Sequence, residues 1–400
     1  MTSSAAVPAV APAGAGLRAG LSLTLAVLLA ASAWHLSGEA GGSRLALSLV
    51  FGALFGFVLQ RSRFCFLCVW RDFLDHGDPR GVLGILAALA AGLSGYTVVF
   101  GAWLPDPSGT RLPPGAHIGP VGPVLALAGL AFGAGMAVSG SCLSAHLYRL
   151  GEGSPTAPFA LTGAALGFVL GFLTWNPLYL AGIAEAPVTW LPRHLGYAGS
   201  LAAGLAVLGG LALGLLRRPL PPRSAPVTAD PLRAVFVARW PTWLGGLAVG
   251  AIGTLAYLRL GPLGVTAEIG GRSRQAAAGL GLLPERLEGL DGFRGCATAL
   301  RDGLLTPNGL FVGGLVVASF AAALAAGQFQ PARPGRGHVL RGLAGGILLG
   351  WGAMTGLGCS IGTLLSGIMA GALSGWVFGI AMLVGITVTL RLGRRSGLLA

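Results

Sequence analysis

The chain contains no lysine and little acid: 13 Asp and Glu, and 10% charged residues in a length of 400. A soluble domain carries charge on about a quarter of its residues. So sparse a charge, with 54% hydrophobic residues and a mean hydropathy of +0.76, excludes an ordinary soluble fold and reads as a polytopic membrane protein. Five cysteines are too few, and too deep in apolar sequence, for a secreted disulfide framework. Phosphate-cradling signatures of an ATP-driven pump are missing as well. No removable signal peptide is evident. Residues 1–17 form an Ala/Pro/Ser/Gly tail, and the run 21–36 lacks a charged lead-in and a cleavage site, so it reads as a retained helix.

What is abundant is glycine, 69 residues, which lets membrane helices approach closely and lets them break where a cavity is lined. The formal net charge of +13 rests on arginine. The arginines lie in short segments between apolar runs rather than along one helix face, so they read as topology-setting charge; attraction of an anion is the second reading and nucleic-acid binding is set aside. Spanning takes about twenty apolar residues. That length gives about ten crossings, near 19–36, 45–60, 81–104, 119–138, 157–175, 197–216, 242–260, 308–327, 340–357 and 374–391. The basic segments 61–80, 217–240, 328–341 and the C-terminal tail then fall on the cytoplasmic side of a bacterial inner membrane, with both termini inside. Trp351 lies within a crossing and either packs or lines a path.

The expected fold is therefore all-α and polytopic, an inverted repeat with re-entrant half-helices. Residues 1–18 are a tail and 19–44 an extra crossing. Residues 45–175 form the first repeat, 176–241 a joining helix and Pro/Arg-rich linker, 242–391 the second repeat, and 392–400 a basic tail. The segment 261–307 is too long for a turn and reads as short interfacial or re-entrant helices.

The repeat is visible in residues. In Gly133-Ala134-Gly135-Met136-Ala137-Val138-Ser139-Gly140-Ser141-Cys142, Gly135 falls on Gly352, Ser139 on Gly356 and Cys142 on Cys359 of the run Gly350–Thr363. An inverted pair of helices broken inside the bilayer points to a binding site near the midplane, where half-helix N-termini offer N–H groups to an anion. Gly140, Ser141, Gly358 and Ser360 flank the two cysteines as supporting residues. Cys65 and Cys68 follow Arg61 and Arg63, and guanidinium charge makes Cys65 the thiol most easily polarised. Cys65, Cys142 and Cys359 could line one path. A thiol is a weak donor and a soft contact, better suited to a terminal sulfur than to a hard oxyanion. His146, one helical turn after Cys142, reads as a packing or hydrogen-bonding histidine. Cys296 reads as structural, and Arg149, Glu152 and Asp72 as an ion-pair set.

Taken in order, RSRFC at 61–65 with Arg71 and Asp72, SGSC at 139–142 followed by Tyr148-Arg149-Leu150-Gly151-Glu152-Gly153, and GLGCSIG at 356–362 resemble the YeeE/YedE family of bacterial sulfur-compound transporters. The likeness covers about residues 45–391. It implies an hourglass-shaped protein in which Cys65, Cys142 and Cys359 pass thiosulfate inward by S–H···S contacts, without covalent bonding, ATP or any cofactor. It also implies a partnership with a small cytoplasmic TusA-like sulfur carrier. This chain departs from the family pattern in its added N-terminal crossing, in Cys68, and in having SGSC and GLGC where two glycines more often precede the cysteine. A selenium compound is an equally soft cargo. A membrane thiol oxidoreductase using Cys65 and Cys68, and a soft-metal channel, are readings from other classes; five methionines are few for the latter.

Overall fold

The computed structural model describes residues 15–218, 230–293 and 305–398. These residues are mainly helical, with extended pairing confined to the isolated bridges Pro120–Val188 and Trp190–Ala372. The first half contains α1 (Ala15–Gly38), α2 (Ser43–Ser62), α3 (Phe66–His76), α4 (Arg80–Trp103), α5 (Pro123–Ser139), α6 (Leu143–Gly151), α7 (Ala157–Leu173) and α8 (Trp175–Leu178), the last running into a wide turn, Tyr179–Ile183. Then come α9 (Leu191–Leu216) and α10 (Pro231–Phe236). The second half contains α11 (Thr242–Arg259), α12 (Ala267–Gly279), α13 (Pro307–Ala325), α14 (Arg336–Thr355), a wide-turned stretch Ser360–Ser366, α15 (Gly367–Met369) and α16 (Leu373–Arg395).

Most of these helices are apolar all round because they have two apolar surroundings to satisfy. On α16, Phe378, Met382 and Ile386 are buried against neighbouring helices, while Ile380, Val384 and Val388, also four residues apart, form an exposed stripe suited to lipid. Seven described helices are long and apolar enough to cross a membrane, or nine when each of two bent pairs counts as one span. The expected crossing at 242–260 falls on α11, which is not among them: it has 18 residues, and its apolarity is diluted by Gly245, Gly246, Gly250, Gly253 and Arg259.

Packing follows a two-fold exchange. Helix α2 packs on α13 and α4 on α11; α5 packs on α16 and α7 on α14; α5 meets α14, and α2 meets α11. Swapping α2 with α11, α4 with α13, α5 with α14 and α7 with α16 exchanges the first four contacts in pairs and leaves α5–α14 and α2–α11 unchanged. The related elements run in opposite directions. Arg44, at the start of α2, donates to the Leu260 carbonyl just past the end of α11, and the Trp240 N–H, just before α11, donates to the Arg61 carbonyl near the end of α2. Glycine permits the close crossings: a Cβ on Gly350 of α14 would collide with the Ala164 carbonyl of α7. Trp351 packs, donating to Thr174 Oγ1 at 2.9 Å. Helix α1 lies outside this arrangement against α2 and α13, and no residue of its apolar window is buried.

Candidate functional site

Four short helices lie inside the two-fold set: α3, α6, α12 and the stretch Ser360–Met369. Their N-cap residues are Cys65, Cys142, Thr266 and Cys359. All four are buried, and none uses its side chain to cap the helix it begins. At each one the residue's own carbonyl accepts the first helical bond: from Val69 to Cys65 at 3.0 Å, His146 to Cys142 at 2.9 Å, Gly270 to Thr266 at 2.9 Å and Thr363 to Cys359 at 2.8 Å. The backbone of the first turn is thus fixed while the side chain stays uncommitted. An N-terminal turn presents N–H groups and a positive dipole end, the conditions for holding an anion.

The breaks that create these N-termini are built alike. Gly140 adopts a left-handed conformation, φ 85°, two residues before Cys142, and Leu357 does the same at φ 58° two residues before Cys359. For leucine this conformation is strained by about 1–2 kcal/mol. Each break is buckled by a side chain four residues after the cysteine: His146 Nε2 pairs with Ser139 Oγ at 3.1 Å, and Thr363 Oγ1 donates to the Gly356 carbonyl at 2.9 Å. This fixes His146 as a hydrogen-bonding residue. Short helices follow both cysteines, but the first does not re-enter as expected: Pro123–Gly151 runs on as one stretch, while Arg336–Thr355 bends by 44° into Ser360–Met369.

Cys65 and Cys142, far apart in sequence, meet with their sulfurs 4.0 Å apart, and Cys142 Sγ lies 3.3 Å from Ser144 Oγ. Cys68 is the next thiol outward and accepts a hydrogen bond from Arg149 Nη2 at 3.1 Å. These cysteines are free thiols. Cys359 stands on the other side of the exchange. Its thiol lies near the Thr266 hydroxyl and the N–H groups of Ile361 and Gly362 without making a capping hydrogen bond to the turn. Ser141, Ser360 and Thr355, each beside one of the breaks, are buried with hydroxyls that have no partner, and so is Thr266. Gly358 allows the close turn before Cys359, where a Cβ would press on Thr363 Oγ1 at 2.6 Å.

Two cavities approach these residues. One, of about 1110 Å³ including its open mouth, is lined by Arg63, Arg71, Arg80, Arg149 and Arg239 with Asp72, Asp78, Tyr148 and Cys68. The other, of about 460 Å³, is lined by His117, Thr355, Gly356, Leu357, Thr363 and Ser374 among others. Ser374 lies at the start of α16, whereas Arg394 at its far end makes a two-pronged ion pair with Asp75 of α3, at 2.7 and 2.6 Å, beside the arginine cavity. The two cavities therefore lie at opposite ends of α16.

Several sequence expectations change in detail. Arg61 does not face Cys65. It is fully buried and donates to Gln60 Oε1, Gln328 Oε1 and the carbonyls of Phe236, Val237 and Ala322, tying the segment before α11 to α2 and α13. The guanidinium that meets a thiol is that of Arg149, while Arg63 is exposed in the basic cavity. No ion pair joins Arg149, Glu152 and Asp72 among the described residues: Arg149 turns to Cys68, and Glu152 accepts from Gln60 Nε2 at 3.1 Å. Cys296 lies outside the described residues. Within 261–307, the described part includes α12 and supplies Thr266, which sequence reasoning missed; its signal was a polar residue opening a short helix at the place in the second half that Cys65 holds in the first.

A family described as sulphur transport matches residues 61–388, which takes in all four N-cap residues and leaves out α1. The chain belongs to this family. Among its relatives, the thiosulfate transporter TsuA of Spirochaeta thermophila is 29% identical over 353 residues, covering 84% of this chain and 95% of its own length. Thiosulfate transporter TsuA of Escherichia coli is 28% identical over 349 residues, covering 84% and 91%. The probable transporter YedE of Salmonella typhimurium is similar over a shorter stretch, 25% identical over 154 residues, 38% of this chain and 36% of its own. The two full-length relatives thus match most of this chain, and the family match spans both halves.

Proposed function

We propose that this chain is an inner-membrane permease that brings thiosulfate into the cytoplasm, handing it along Cys65, Cys142 and Cys359 by transient S–H···S contacts. The observation that carries the reading is that each of these thiols begins a half-helix within a broken span and is not spent on capping it. Thiosulfate has a soft terminal sulfur and hard oxygens. The thiol meets the first, and N–H groups of the following turn meet the second. Successive weak contacts let an anion enter and also leave, which strong sites would prevent. The arginine cavity beside Cys68 draws the anion to the far end of the path, where a TusA-like carrier would collect it. The names of the full-length relatives support the cargo, and selenium analogues of the same softness are competing substrates.

The test is growth on thiosulfate as sole sulfur source in a bacterium lacking its own thiosulfate uptake. The chain should restore growth, Cys142→Ala and Cys359→Ala should lose it at unchanged membrane abundance, and Cys68→Ser should keep it. Full growth with both alanine variants would sink the thiol path. Loss with Cys68→Ser would favour disulfide exchange between Cys65 and Cys68, for which both thiols are indispensable.

A further inference from the structure

We infer that Thr266 is a fourth substrate-contacting residue, its hydroxyl holding an oxygen of the anion while Cys359 holds the sulfur. This deepens the transport reading above and rests on it. The exchange that relates the halves sends Cys142 to Cys359 and α3 to α12, so the N-cap residue of α12, Thr266, stands where Cys65 stands in the first half. Cys65 faces Cys142, and Thr266 correspondingly faces Cys359.

The state of the hydroxyl separates a contact residue from a packing residue. A threonine in an apolar setting ordinarily returns its O–H to a nearby carbonyl, as Thr97 does to Leu93, Thr254 to Gly250 and Thr387 to Leu383 in this chain. Thr266 is completely buried, opens a 13-residue helix, and bonds no carbonyl through its Oγ1, which faces only the Cys359 thiol, a weak partner. An orphaned donor at such depth is costly unless something else accepts from it. Ser360 and Thr355, at the Cys359 break, are unpaired in the same way, and Thr355 borders the cleft at the end of α16 away from the arginine cavity.

The two ends of the path therefore differ in chemistry. At their paired N-caps, Cys65 and Cys142 set thiol against thiol, whereas Cys359 and Thr266 set one soft contact beside one hard one. A hydroxyl is a far better donor to oxygen than a thiol is. The Cys359 station thus selects small anions that carry a terminal sulfur and oxygens together, and the thiol pair receives whatever has passed it.

Uptake of radiolabelled thiosulfate, normalised to the amount of protein in the membrane, would be measured for the wild-type chain, Thr266→Ser, Thr266→Ala, Thr266→Val and the control Cys142→Ala. Thr266→Ser should keep the half-saturating concentration within about threefold, while the alanine and valine variants should raise it about tenfold or more, as expected for a lost bond to an anion. Alanine removes the hydroxyl without the bulk of valine, so it decides the matter should the valine variant fail to accumulate. Alanine within about twofold of wild type would overturn the role of Thr266 and leave the cysteine path standing. So would an equal loss in all three variants, which marks a packing role. A wild-type chain that takes up no thiosulfate, although present in the membrane, would overturn the transport reading itself.

Discussion

At the scale of the residue, the molecule separates polar groups that are fully paired from polar groups that are left open. Arg61 is the clearest of the first kind: a buried guanidinium with acceptors on α2, on α13 and on the segment before α11. Arg61→Met would keep the volume and take the donor away from three carbonyls and from the side-chain oxygens of Gln60 and Gln328. Each buried group left unpaired costs about 1–3 kcal/mol. A large fall in melting temperature in detergent, with little protein reaching the membrane, is the expected result; a variant as stable as wild type would show that water replaces the guanidinium. The open groups Ser141, Thr355 and Ser360 lie instead beside the breaks at Cys142 and Cys359, and Thr266 is itself an N-cap.

At the scale of the element, two devices govern the helices: the break and the close crossing. The break depends on a left-handed residue two positions before each N-cap cysteine: Arg63, Gly140 and Leu357. The close crossing depends on missing side chains, and here a comparison of two glycines is informative. Gly350→Ala would drive a methyl group into the Ala164 carbonyl of α7, a backbone atom that cannot swing aside, whereas Gly209→Ala on α9 meets nothing within 4 Å. The first should cost several kcal/mol, about 1–3 from overpacking alone, and lower the folded yield. The second should be neutral or slightly stabilising, since alanine favours helix over glycine by about 1 kcal/mol. Thermal unfolding of both variants in the same detergent checks the contrast.

At the scale of the whole molecule, the exchange of α2 with α11, α4 with α13, α5 with α14 and α7 with α16 sets the approaches to the site at opposite ends. The ends are not alike in charge, because the arginines of the first half and of the segment before α11 gather on one of them. Charge of this sign is retained on the cytoplasmic side. Cys68 lines the arginine cavity and is partly exposed, while Cys65, Cys142 and Cys359 are buried. With Cys296→Ser in place, a membrane-impermeant maleimide should therefore label Cys68 in inside-out vesicles and spare it in intact spheroplasts. Labelling in spheroplasts instead would reverse the orientation. Helix α1 contributes nothing to either cavity and lies outside the matched region.

Much of this was legible along the chain. Low charge and long apolar runs fix a membrane-spanning all-α protein, because backbone polar groups in lipid must be satisfied within the segment. The duplicated glycine-rich approach to Cys142 and Cys359 marked both breaks, since glycine and its spacing are local properties of the sequence. What only the tertiary structure decided is which distant groups meet. Cys65 reaches Cys142, Arg149 rather than Arg61 reaches a thiol, and Thr266, which no cysteine pattern announces, stands beside Cys359. Those pairings follow from how oppositely directed helices cross. Crossing depends on the shapes of two surfaces at once, and that information is not held by either stretch of sequence alone.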